Sequence, residues 1–76
     1  MILDRPWPED LDPAHAGFRT RTITILKRHS HWDDPTKLDT LTAEEFLAIE
    51  TASFRVLADL VQKGNAAIAL VSAPSG

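Results

Sequence analysis

Glu50 is the strongest candidate for a side chain with a chemical role, because of its position in a predicted helix over 43–63. On a helical wheel it lies near the centre of an apolar arc, where an unpaired carboxylate costs on the order of several kcal/mol. We therefore expect a buried ion pair between Glu50 and Arg21, Arg28 or His29, formed when two helices pack as a hairpin. A metal-bound or catalytic Glu50, or a charge that meets a binding partner, are the alternatives.

The segment from His29 to Asp34 contains the side-chain types of a metal site. His29 and His31 are followed closely by Asp33 and Asp34. Residues two apart on a helix point to nearly opposite sides, so the two histidines converge only if the chain is extended there. No His-Glu-x-x-His spacing occurs either. We predict no metal site, and histidines that interact with the C-terminal end of a helix instead.

Nucleophilic catalysis lacks its usual residues. The sequence has no cysteine, only three glycines, no Gly-x-Ser-x-Gly and no glycine-rich phosphate loop. A pair of helices also offers no deep cleft in which a substrate could be desolvated. The prediction is a protein that is not an enzyme, with no catalytic residues, no cofactor and no small-molecule substrate.

Charge is distributed in blocks although the net charge is only -3. Four cations and no carboxylate fall within 19–28, whereas the segments before and after are acidic. Pairing of these blocks within the fold is the first expectation. The alternative is a small dimeric DNA-binding regulator or antitoxin, because cations on one face neutralise phosphates. Its predicted contacts are Arg19, Arg21, Lys27 and Arg28.

The elements that must position these side chains are two helices. Asp12 and Pro13 are typical of a helix start, and the spacing of apolar residues predicts a helix over 13–30. Against it stand Gly17 and the alternating β-branched residues, which favour a strand at 19–25. That strand followed by helices would make a ribbon-helix-like α+β protein, the alternative to the all-α hairpin.

The second helix, over 43–63, has clear end signals. Thr42 and Glu45 form a capping-box pattern, and Gly64 followed by Asn65 predicts its end. Its apolar arc covers about half the circumference of the helix. A single neighbouring helix covers less than that. We therefore expect an exposed interface formed by this arc and by an N-terminal tryptophan: Trp7, Phe46, Leu47, Ile49, Phe54, Val56, Leu57, Leu60 and Val61.

The 76 residues are predicted to form one small domain. Pro6 and Pro8 around Trp7 indicate an extended arm over 1–11, and residues 72–76 are expected to fray. No run of about 20 apolar residues occurs, and the first residues do not resemble a signal peptide, so a cytoplasmic protein without membrane contact is expected.

The favoured function is protein–protein association, as an adaptor, assembly factor, inhibitor or accessory subunit. A chain this short buries only about 60% of the surface that its unfolded form exposes, so a partner would add stability. The partner is expected to be a second copy of the chain or a larger protein. Nucleic acid is the less favoured partner.

Overall fold

Three α-helices organise the chain, which a computed structural model describes over residues 2–72. They are α1 (Thr20–Arg28), α2 (Ala43–Leu47) and α3 (Phe54–Ser72). Two 3-10 helices, Pro13–His15 and Pro35–Asp39, lie in the connections. The described residues contain no strand, so the all-α prediction is confirmed and the strand at 19–25 is wrong. Packing favours the helix over the strand in this segment, because the buried residues Thr22, Ile25 and Leu26 have helical spacing.

The predicted helix over 13–30 is shorter than expected, because its first half is a separate turn. Asp12 caps as predicted, its Oδ1 accepting a hydrogen bond from the Ala14 N–H at 2.9 Å. The turn ends at His15, and Gly17 then adopts φ +78°, a backbone angle that interrupts a right-handed helix. Helix α1 starts only at Thr20.

The C-terminal end of α1 lies close to its predicted position. The His31 N–H donates to the Leu26 carbonyl at 2.9 Å, and the Ser30 N–H donates to the Lys27 carbonyl at 3.4 Å. These are the two hydrogen bonds of a Schellman motif, in which the residue after the cap adopts the left-handed conformation. Ser30 holds that place with φ 66°.

The predicted helix over 43–63 is divided by a turn at 48–53. Its predicted start is confirmed: the Glu45 N–H donates to Thr42 Oγ1 at 3.1 Å. After α2 ends, the Ser53 side chain begins a new helix by accepting from the Val56 N–H at 3.4 Å. Serine and threonine side chains compete with helical hydrogen bonds, which makes this segment a place where the helix breaks. The break lets α2 pack against α3 instead of extending it.

Gly64 and Asn65 do not end α3, which corrects the predicted boundary at Lys63. They receive the N-terminal arm. A Cβ at Gly64 would lie 2.9 Å from Leu3 Cδ2, so the glycine allows the arm to approach the helix closely. The Asp4 N–H donates to Asn65 Oδ1 at 2.9 Å.

The arm continues into the core at Trp7, which is buried. Its indole N–H donates to the Leu11 carbonyl at 2.8 Å, and its ring lies 6.3 Å from that of Phe18. The Trp7 backbone N–H donates to Asp39 Oδ1 at 2.9 Å. Between them, the arm and the three helices enclose one hydrophobic core. Its most completely buried members are Phe46, Ile25, Leu26, Leu38 and Leu60.

Two expectations concern the ends of the chain and the membrane. Of the predicted frayed tail, Ser72 belongs to α3, and 73–76 lie outside the described residues. Within residues 2–72, no helix combines the length and the apolar character needed to cross a bilayer.

Candidate functional site

Asp59 is the one buried carboxylate among residues 2–72, whereas the sequence patterns predict that place for Glu50. It is 7% exposed and lies on α3 beside the start of α1. Its Oδ2 accepts hydrogen bonds from the Arg19 N–H at 2.9 Å and from Thr22 Oγ1 at 2.8 Å. Asp59 therefore caps α1 from another helix, and it replaces the local cap that Arg19 does not provide.

A basic face surrounds this cap. We use the term for Arg19, Arg21 and Arg28 of the α1 region together with Arg55 of α3, all of them exposed. Arg19, Arg21 and Arg55 line one cleft, and Arg21 and Arg28 line the next. The helical phase of α1 explains the arrangement: its buried stripe turns the arginines outward, as the sequence predicts.

The basic face is largely unneutralised. The one ion pair among residues 2–72 joins Arg19 Nε to Asp59 Oδ1 at 3.9 Å, with the arginine side chain 84% exposed. Pairing of the acidic and basic sequence blocks within the fold was therefore the wrong expectation. Exposed ion pairs contribute little to stability, so folding alone does not require the blocks to meet.

Glu50 is exposed, which corrects its predicted burial. It lies in the turn at 48–53, outside both helices, so the helical wheel that placed it in the apolar arc does not apply there. It lines the same cleft as Arg21 and Arg28, but no ion pair within 4 Å joins it to either residue or to His29.

Four of the nine residues of the predicted apolar interface belong to the buried core of the chain. Trp7, Phe46, Val56 and Leu60 are buried, and they leave no surface for a partner. This placement corrects the prediction for these residues. Phe54 is the exception at 78% exposure. The others are half-buried: Leu47, Ile49, Leu57 and Val61.

The histidine segment follows α1 without forming a cluster of ligands. His29 is exposed, while His31 is half-buried and its Nδ1 has no hydrogen-bond partner. Burial, followed by the charges of His29 and Lys37, lowers the pKa of the His31 imidazole. Across residues 2–72, no group of three or more histidine, aspartate or glutamate side chains is placed to hold a metal ion.

An acidic cleft of about 550 Å³ lies between the arm and the loop after α1. Trp7 and Trp32 contribute to its walls, and no lysine or arginine lines it. Lys27 lies at its border, with its Nζ 5.3 Å from the centre of the Trp32 ring. The carboxylates that line this cleft are Glu9, Asp10, Asp12, Asp33 and Asp34.

Sequence reasoning missed two features of the basic face, Asp59 and Arg55. A signal for Asp59 exists once α3 is counted from its true start: the residue lies three after Val56 and one before Leu60, at the edge of the buried stripe. Arg55 carries no such signal, because only tertiary packing brings the start of α3 beside the start of α1.

Comparison of the chain with protein-family models, with curated protein sequences and with solved structures found no match.

Proposed function

We propose that this protein binds double-stranded DNA through its basic face. The observation that carries the proposal is that four arginines, from the α1 region and from α3, share one surface, and within residues 2–72 only Arg19 has a carboxylate within 4 Å. Cations left without partners are available to neutralise phosphates, and phosphate neutralisation supplies most of non-specific DNA affinity.

The start of α3 adds side chains suited to a groove. Phe54, Arg55, Ala58 and Gln62 are exposed on one side of this helix. Glutamine donates to base edges in the major groove, and phenylalanine and alanine contact thymine methyl groups. The major groove is about 12 Å wide and admits an α-helix, and a preceding helix joined by a turn is a common way to support one. Helix α2 and the turn at 48–53 stand in that position.

The test is the salt dependence of binding to a labelled duplex, measured by fluorescence anisotropy. With phosphate contacts from the three arginines that have no carboxylate partner, the logarithm of the binding constant should fall with the logarithm of salt concentration with a slope of about -3. The double variant Arg21→Gln with Arg28→Gln should lower the magnitude of this slope by about 2.

A matched control removes the same charge elsewhere. Arg5 lies beside Ile68 and Ala69, and Lys37 lies in the second 3-10 helix, so neither belongs to the basic face. Arg5→Gln with Lys37→Gln should leave the slope unchanged. Equal losses in the two double variants would show a net-charge effect, and a wild-type protein that does not bind duplex at low salt would overturn the proposal.

Association with a second copy or with a larger protein is the second candidate. It is supported by the C-terminal end of α3, where Leu70 is 81% and Val71 is 44% exposed. Exposed apolar side chains are individually common, but two adjacent ones at the end of a helix form a small apolar patch. Self-association is also compatible with DNA binding, because many DNA-binding proteins act as dimers.

A further inference from the structure

The cleft between the starts of α1 and α3 has the composition of an anion site. Its volume is about 250 Å³, which leaves room for a tetrahedral anion. Arg19, Arg21 and Arg55 line it, together with the hydroxyl-bearing Ser53 and Thr22.

The carboxylate in this cleft already has partners within the protein. Asp59 Oδ2 accepts two hydrogen bonds, from the Arg19 N–H and the Thr22 hydroxyl, and Oδ1 lies 3.9 Å from Arg19 Nε. Arg21 and Arg55 have no carboxylate within 4 Å in the described part of the chain. The cleft therefore keeps a positive surplus of two guanidinium groups after its one carboxylate is paired with Arg19.

Guanidinium chemistry selects the ligand. A planar fork of N–H donors matches the oxygens of a phosphate and binds them by parallel hydrogen bonds. Two such forks, from Arg21 and Arg55, line the cleft from different helices, and a phosphate with several free oxygens accepts hydrogen bonds from both. The backbone dipoles at both helix starts also favour an anion there.

We propose that this cleft binds one phosphate group of the DNA backbone, with Arg21 and Arg55 as its donors and with Arg19 held in place by Asp59. The inference rests on the proposed function and adds the position of one phosphate relative to the two helices. Because Arg55 lies on the same side of α3 as the exposed Phe54, Ala58 and Gln62, the bound phosphate would set the register of that helix on the duplex.

The experiment follows backbone amide shifts by NMR while duplex DNA, or inorganic phosphate alone, is added at constant ionic strength. Both should shift amides at 19–22 and 53–56. Arg55→Gln should weaken duplex binding about tenfold and lower the magnitude of the salt slope by about 1. Arg55→Lys should recover the slope but not the full affinity, because it keeps the charge and loses the fork. Arg5→Gln is the control.

The possible outcomes test the phosphate site and the proposed DNA binding separately. Duplex binding that is unchanged in Arg55→Gln would overturn the phosphate site and leave DNA binding standing. Inorganic phosphate that shifts these amides, with no binding of duplex, would overturn both the backbone source and the proposed function, since the cleft would then take a free phosphate group.

Discussion

At the scale of single residues, Asp59 controls where a helix begins. A helix leaves its first N–H groups without partners inside the helix, and a nearby serine, threonine or aspartate usually accepts from them. Here the acceptor lies 40 residues further along the chain than Arg19, on α3. The start of α1 is therefore stabilised by a tertiary contact, which α3 provides.

We expect Asp59→Ala to lower the free energy of unfolding by about 2 to 3 kcal/mol. The loss combines a helix cap, worth about 1 kcal/mol, with the cost of leaving the buried Thr22 hydroxyl unsatisfied. Urea denaturation measures it. Asp33→Ala is the matched control, because Asp33 is exposed, and its effect should stay within about 0.5 kcal/mol. Similar losses in both variants would contradict the role of the cap.

Glu50 was predicted to be the buried carboxylate, and Asp59 is buried instead. This difference shows why the candidate site was only partly predictable. A helical wheel assigns burial correctly only while the helix is continuous, and the turn at 48–53 separates Glu50 from the phase of α3. The exposed faces of Arg21 and Arg28 were predictable, because α1 keeps one phase from Thr22 to Leu26.

At the scale of elements, local signals at helix ends were reliable where the partner is near in sequence. The start of α2 follows from Thr42 and Glu45, which are three residues apart and bond to each other directly. The end of α3 did not follow from Gly64, because a glycine within a helix also serves close packing. The meaning of that glycine depends on Leu3, which no short window of sequence includes.

We expect Gly64→Ala and Leu3→Ala to be strongly non-additive in unfolding free energy. Alanine favours the helix over glycine by about 1 kcal/mol, and this gain should appear in the Leu3→Ala background, where the space beside residue 64 is free. With Leu3 present, a Cβ would lie 2.9 Å from its Cδ2, and the gain should vanish or reverse.

The coupling between these two positions should therefore reach about 1 kcal/mol, measured by urea denaturation of the four proteins. Ala66→Gly is the control on the same helix. Ala66 is exposed, so its substitution should cost about 1 kcal/mol whether or not Leu3 is present. Simple additivity at Gly64 would contradict the close contact between arm and helix.

At the scale of the whole molecule, charge is separated rather than paired. The basic face gathers arginines from α1 and α3, while five carboxylates line the acidic cleft between the arm and the loop after α1. A net charge of -3 therefore conceals a positive surface. Such a molecule approaches a polyanion in a preferred orientation, and added salt weakens that preference.

We expect the wild-type chain to self-associate at micromolar concentration through the C-terminal end of α3. Leu70→Glu should weaken this association at least tenfold, because the substitution places a charge in the apolar patch. Ala69→Glu is the control, since it adds the same charge on another side of the helix. Sedimentation equilibrium measures the mass, and a wild type that remains at 8.4 kDa would contradict the prediction.

The docking of the arm on α3 sets an order of events during synthesis. A ribosome makes Leu3 and Asp4 before it makes Gly64 and Asn65, the residues that they contact. At about 5 to 20 residues per second, these first residues wait roughly 3 to 12 s for the partners that cover them. The Leu3 side chain therefore stays without its partner on α3 during this interval, whereas Trp7 meets Leu11, Phe18 and Asp39 earlier in synthesis.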